Sequence, residues 1–488
     1  MTATELDDQD ERPRLPTWLT SERPMARTIG RPMQRFLHVE AAGGIVLLVA
    51  TVAALLWANL DGSSYTEFWH AEISLDVAGF HLEEDLLHWV NDGLMAVFFF
   101  VVGLEIKREW EVGELVDRRA ALLPAIGAAG GMILPASMYV AFNVGSDTVN
   151  GWGIPMATDI AFALGIIALV GHRVPSTLKV FLLTLAIVDD IGAIVVIAIF
   201  YSAAVAWEWL ALAGLLIATT YILKRIRVWY LPVYVILAGG IWLATFESGV
   251  HATLAGVILG IITPTHPLNP DVTQRQVEAA IADPALDQTT SAVEAARLIN
   301  ESVPVGSRLI RAIHPWTSFV IIPIFALANA GIELTGSALA DAATSSVTIG
   351  IAVGLVAGKT LGISGAVAIA IRLGVARLPE RTTMTQVVGV CAVAGIGFTV
   401  SLFIGGLAFE DPAIVSQAKI GILAASVAAA LLGAAILVGA GRRPPSDSVA
   451  SPASSSPAGS SPGSSPGSPP GSSAGSSPRS PSGLAGDR

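Results

Sequence analysis

"LAIVDDIGAIVVIAIF" occupies residues 185–200 and places two adjacent aspartates inside an otherwise apolar run. Asp189 and Asp190 are the only charged residues between Lys179 and Glu208. Such a run belongs in lipid or in a deep core, and a charge at the centre of a bilayer costs at least ~2.5–3.5 kcal/mol even on insertion scales. The rest of the chain decides for lipid. Of 488 residues, 53% are hydrophobic and only 14% charged, whereas soluble domains carry about 25% charged residues. Several apolar stretches reach the ~18–20 residues that a bilayer requires. The expected fold is an all-α polytopic membrane protein.

About twelve spans can be marked, near 38–60, 86–108, 120–143, 152–171, 180–202, 207–223, 228–247, 250–264, 315–334, 347–371, 384–409 and 416–440. Lys and Arg then alternate between the two sets of loops. Arg23, Arg27, Arg31 and Arg35 precede the first span, and the loops at 107–119, 172–179, 224–227, 265–314 and 372–383 all carry Lys or Arg, as does the start of the C-terminal tail with Arg442 and Arg443. The opposite set, 61–85, 144–151, 203–206, 335–346 and 410–415, carries none. This alternation places both termini in the cytoplasm. The expected organisation is a cytoplasmic tail at 1–35, a membrane domain at 36–440 and a disordered Ser/Pro/Gly-rich cytoplasmic tail at 441–488. No cleavable signal peptide is expected, because the first apolar run has the length of a span.

Within the membrane domain, "HAEISLDVAGFHLEE" (70–84) alternates apolar and polar residues on both sides of Ala78-Gly79, which predicts an external β-hairpin at about 70–83. The cytoplasmic loop 265–314 contains helical stretches, "QVEAAIA" and "AVEAARLI". The single cysteine, Cys391, excludes an intrachain disulfide and a cysteine-based metal site. Neither a cofactor nor a nucleic-acid partner is expected.

The charges that the membrane should not tolerate are Asp159, Asp189, Asp190 and Lys359, with Glu105 near a cytoplasmic end. One such residue alone can be a structural hydrogen-bonding group or a snorkelling side chain. Two adjacent carboxylates are different, because both cannot be ionised cheaply in a dry site. The pair is poised between holding protons and holding cations. Lys359, in "GLVAGKTLGIS", lies about twelve residues from either end of its span, or ~18 Å of helix. Its stem cannot reach water over that length, so it needs a buried anion, and Asp189 or Asp190 is available. Two spans also read as broken. "GWGIPMATDIAFALG" (151–165) sets Gly153 and Pro155 before Thr158 and Asp159, and "CAVAGIGFTVSLF" (391–403) carries Gly395 and Gly397 at its middle. Small residues also serve ordinary helix packing. An acid at one break points instead to interrupted helices whose exposed ends contribute to an ion site.

These residues carry a resemblance. The chain resembles the NhaA-type sodium/proton antiporters of bacteria through "NDGLMAVFFFVVGLEIKRE" (91–109), "ATDIAFALG" (157–165), "LAIVDDIGAI" (185–194), "SGVHATLAGV" (248–257), "HPW" (314–316), "FALANAGI" (325–332), "GKTLGIS" (358–364) and "GIGFTVSLFI" (395–404). The motifs stand in the family's order over about residues 36 to 440. The resemblance implies that Asp189 and Asp190 bind the transported Na+ or Li+ and the protons, and that Lys359 pairs with Asp189. It implies that Thr158 and Asp159 sit where a broken fourth span crosses a broken eleventh. It further implies electrogenic exchange of internal Na+ or Li+ for external protons at the bacterial cytoplasmic membrane, and a homodimer held through the external hairpin. Glu105, Glu109 and His251 fall on positions linked to the pH response. Ile310 stands four residues before "HPW", where a well-known member carries an acid. Two other classes remain open. An intramembrane aspartyl protease also uses two buried carboxylates, but from separate helices in YD and GxGD contexts. A cation channel would not need the breaks or the lysine.

Overall fold

A chain in hydrocarbon must satisfy its own backbone hydrogen bonds, and helices do so within one segment. The computed structural model describes residues 42–77, 80–113, 115–202, 205–226, 228, 230–267, 274–282, 288–379 and 382–440. The expected N-terminal tail with its arginines, the Ala78-Gly79 turn, and the Ser/Pro/Gly tail from 441 lie outside these residues. The described part is mostly helical.

Seven described helices are long and apolar enough to cross a bilayer. They are α1 (Ala42–Leu60), α3 (Leu86–Glu111), α4 (Arg119–Asn143), α6 (Ser176–Phe200), α12 (Val305–Asn329), α14 (Ser346–Arg372) and α17 (Pro412–Ala440). Two more spans are bent pairs. Asp147–Met156, a tight 3₁₀ segment, meets α5 (Ile160–Val170) at 44°, and α15 (Met384–Val393) meets α16 (Phe398–Ala408) at 47°. Both breaks fall where Gly and Pro interrupt the expected fourth and eleventh spans.

Length and composition thus support up to nine of the twelve expected spans. The other three are helices that fall short of the same measure. α7 (Trp207–Arg225) has Glu208, Lys224 and Arg225 at its ends, and α8 (Leu231–Glu247) has 17 residues. α9 (Thr253–Ile262) has 10 residues, or ~15 Å of helix. The ninth expected span also starts earlier than its apolar run, at Val305, because the amphipathic "VGSRLIRAIHPW" continues the helix.

A short helix α2 (Gly62–Trp69) leads from α1 to an antiparallel hairpin of β1 (Glu72–Val77) and β2 (Phe80–Asp85), registered from Glu72 opposite Asp85 to Val77 opposite Phe80. Asp85 fastens its base. Its carboxylate accepts from the His88 backbone N–H at 2.8 Å and faces the His70 and His88 Nδ1 atoms at 2.7 and 2.6 Å. Burial alone would raise the Asp85 carboxyl, but these hydrogen bonds outweigh it and hold the group below the usual carboxylate range. In the loop at 265–314, α10 (Gln274–Ala282) and α11 (Gln288–Ser302) pack on each other. The short helix α13 (Gly336–Thr344) precedes α14.

Close packing comes from glycine. A Cβ on Gly260 of α9 would lie 2.5 Å from the Phe100 carbonyl oxygen of α3, and Gly103 of α3 faces Val257 in the same way. Gly130 of α4 and Gly362 of α14 face each other backbone to backbone. Small residues at these contacts let helices approach without a hydrophobic driving force between them. The second contact matters most for function, because α14 carries Lys359.

Candidate functional site

Lys359 follows a widened turn of α14 at Gly354–Gly358. Such π-type turns recur at functional positions because they redirect one side chain. Here Gly358 lies against Pro135 of α4 and Gly354 against Pro155, so a Cβ at either would come within 2.8 Å of a proline atom. The lysine is thereby pressed into the centre of the bundle, fully buried.

Its ammonium has two partners. Lys359 Nζ donates to Asp189 Oδ2 in a short ion pair, and to Thr158 Oγ1 at 2.9 Å. Thr158 Oγ1 donates onward to the Ala394 carbonyl at 2.9 Å, which ends α15 at its break. Helix carbonyls at a C-terminus carry partial negative charge, and the lysine offsets it through the threonine. Asp159 does the converse. Its Oδ1 accepts from the Phe162 N–H at 2.9 Å at the start of α5, and its Oδ2 accepts from the Thr399 N–H at 3.1 Å and hydroxyl at 2.7 Å at the start of α16. One carboxylate therefore faces two helix N-termini, whose partial charge is positive. Asp159 N–H donates to the Ile396 carbonyl at 2.6 Å, so the two breaks are joined by backbone as well.

The neighbouring aspartates differ. Asp189 is 1% exposed, and its second oxygen, Oδ1, is buried without a hydrogen-bond partner among the described residues. Asp190 is also buried, at 8% exposure. Among the described residues no group of three or more His, Cys, Asp or Glu side chains is arranged to hold a metal ion. The donors on offer here are oxygens, the carboxylates and the Thr158 hydroxyl, a chemistry that suits an alkali ion better than a transition metal.

The sequence-level set is thus brought together for Asp189, Asp190, Lys359, Thr158, Asp159, Gly395 and Gly397. The three pH-linked residues are not gathered in one place, although Glu105 lies within electrostatic reach of Asp190. Glu105 and Glu109 lie one turn apart near the end of α3 away from the hairpin, where Glu105 Oε1 is 3.9 Å from His314 Nε2. His251 lies at the opposite end of the α3–α9 pair, just before α9, and its Nε2 contacts the Tyr201 carbonyl at 2.6 Å.

A family model described as Na+/H+ antiporter 1 matches residues 34–437, which contain every residue of this site. The chain belongs to that family. The Na(+)/H(+) antiporter NhaA 3 of Frankia alni is 50% identical over 85% of this chain and 89% of its own length. The NhaA 2 protein of Myxococcus xanthus is 46% identical over 84% and 89%, and the NhaA protein of Cronobacter sakazakii 44% over 83% and 97%. The resemblance read from the motifs is confirmed, and with it a multi-pass membrane protein.

Four residues of interest escaped the sequence reading. Thr399 sits inside a quoted motif, and its place directly after the glycine break was the available signal. His314 was seen only as part of "HPW". Lys419 lies half-buried within α17, too near the end of the last expected span to stand out. Tyr201 carried no signal.

Removing the lysine tests the pair. Lys359→Ala leaves Asp189 sealed and unpaired, and thermal or denaturant unfolding in detergent should show a loss on the order of 3–5 kcal/mol. Lys359→Arg should retain part of the stability. Unchanged melting of the alanine variant would show that water reaches the site and the pair is not sealed.

Proposed function

We propose that this protein is an electrogenic secondary antiporter that exchanges Na+ or Li+ for a larger number of protons across the bacterial cytoplasmic membrane. Its relatives carry antiporter names, which are names of transporters rather than enzymes. The observation that carries the finer reading is the sealed Lys359–Asp189 pair next to the more accessible Asp190, at the junction of two broken spans. This family is itself a known case of broken helices around a midplane ion site.

The chemistry follows from charge. With Asp190 protonated and Asp189 paired to Lys359, the site is neutral and the barrier to crossing hydrocarbon is low. With Asp190 ionised, the site carries a net negative charge that is tolerable only with a cation bound. A Na+ on the open Asp189 oxygen and on Asp190 competes with the Lys359 ammonium as well as with protons. More than one proton can then leave per cation. The aspartyl-protease reading loses its ground, because Lys359 occupies one member of the pair and the antiporter family accounts for both. Steady conduction through a channel is disfavoured by the same sealed pair.

In this reading the bent spans cross each other, and α7, α8 and α9 also cross the membrane, which completes twelve. The Lys- and Arg-poor loops and the hairpin face outward, both termini face the cytoplasm, and Glu105, Glu109 and His251 modulate activity with pH. The hairpin joins two copies into a dimer.

Two experiments test it. In everted vesicles from cells expressing the protein, Na+ and Li+ should collapse a respiration-generated pH gradient between about pH 6.5 and 9. The Asp190→Asn variant, expressed at the same level, should not collapse it. Equal collapse by both proteins would remove the aspartate pair from transport. For the dimer, deletion of residues 70–83 should convert dimer to monomer in native mass spectrometry while vesicle exchange persists. A deletion variant that remains dimeric refutes the hairpin contact.

A further inference from the structure

Tyr201 closes the helix that carries the aspartates, its N–H donating to the Ile197 carbonyl at 3.2 Å. Its phenol reaches the 3₁₀ half of the fourth span. Tyr201 Oη donates to the Asn150 carbonyl at 2.7 Å and accepts from the Gly153 N–H at 3.1 Å. Only glycine allows this approach, because a Cβ at Gly153 would lie 2.7 Å from the phenol oxygen. Beside it, the Trp152 and Phe200 rings meet edge to face at 5.0 Å. The backbone carbonyl of Tyr201 is an end-of-helix acceptor without an intrahelical partner. His251 fills it, with Nε2 as the donor because a carbonyl can only accept, at 2.6 Å.

One residue therefore ties three segments: the end of α6, the hairpin-side half of a broken span, and the loop that opens α9. From Asp190 to Tyr201 is 11 residues of sequence, or ~16 Å of continuous helix. A helix of that length moves as a unit. A shift of the aspartates on taking or losing a cation is then delivered to the 3₁₀ segment through the phenol, and that segment ends at Thr158 and Asp159.

We propose that Tyr201 is a positioning residue of the exchange cycle, coupling the aspartate helix to the hairpin-side half of the broken fourth span and, through His251, to the loop before α9. This rests on the antiporter reading. The phenol touches no ion. It keeps the Thr158–Asp159 break in register with Asp189 while α6 moves.

The test uses full-length wild type, Tyr201→Phe and Gly153→Ala in proteoliposomes, with Na+-driven proton flux and amide hydrogen exchange as separate readouts. Tyr201→Phe removes only the hydroxyl, and Gly153→Ala displaces it without changing the tyrosine. Both variants should lower the maximal exchange rate roughly three- to tenfold, the effect of about one lost neutral hydrogen bond. The Na+ concentration at half-maximal rate should stay unchanged, and amides in 150–156 should exchange faster. A maximal rate within about twofold of wild type, unchanged protection of 150–156, or a change confined to Na+ affinity would overturn the proposal. If Tyr201→Phe does not assemble, Gly153→Ala decides by the same criteria. Loss of flux in wild type itself would instead strike the antiporter reading, and the amide exchange would still report whether the phenol holds the segment.

Discussion

The ion pair between Lys359 and Asp189 is the interaction on which the rest of the molecule depends. Two full charges removed from water cost several kcal/mol each unless geometry and further hydrogen bonds compensate. Much of the packing around the pair provides that compensation. Proline and glycine contacts push α14 inward until the ammonium meets the carboxylate. Thr158 accepts from the lysine and hands the contact on to the end of α15. Asp159 answers the opposite ends of the two broken spans. The breaks and the pair are therefore one electrostatic unit, with positive side chain against helix C-terminus and negative side chain against helix N-termini.

That unit is also poised to change. Asp189 Oδ1 is buried without a hydrogen-bond partner among the described residues, and a buried acceptor left so is costly. In the proposed exchange a cation or a proton binds there. Asp190 follows it in the chain and is buried slightly less deeply, while the lysine is sealed completely. The anchoring of the aspartate helix at Tyr201 extends this arrangement toward the hairpin side of the bundle.

Much of this was legible in the sequence, and for identifiable reasons. Charges inside apolar runs are conspicuous, so Asp159, Asp189, Asp190 and Lys359 could be singled out from composition alone. The lysine's depth required a buried anion, and Asp189 is the one it meets. Gly and Pro marked both breaks. What could not be read was lateral arrangement. Helix periodicity does not say which helices touch, so nothing separated His251 from Glu105 and Glu109, or joined Glu105 to His314. Thr399 and Tyr201 act by hydrogen bonds across more than 45 residues of chain; the glycine break beside Thr399 was its one signal, and a tyrosine closing a helix has none. Span counting was weakest at α7 to α9, where polar ends and short helices blur the apolar signal.

The central claim is that protons and Na+ compete for the same carboxylate oxygens. Isothermal titration of the purified protein with Na+ over a series of pH values, in two buffers of different protonation enthalpy, tests it directly. The account predicts that Na+ binding near pH 8.5, far above the ordinary Asp value of ~3.9, releases protons, and that each tenfold rise in proton concentration weakens apparent affinity by up to about tenfold per competing proton. It predicts no such binding in Asp190→Asn. Na+ affinity independent of pH, or binding by Asp190→Asn with the heat and proton release of the wild type, would contradict it.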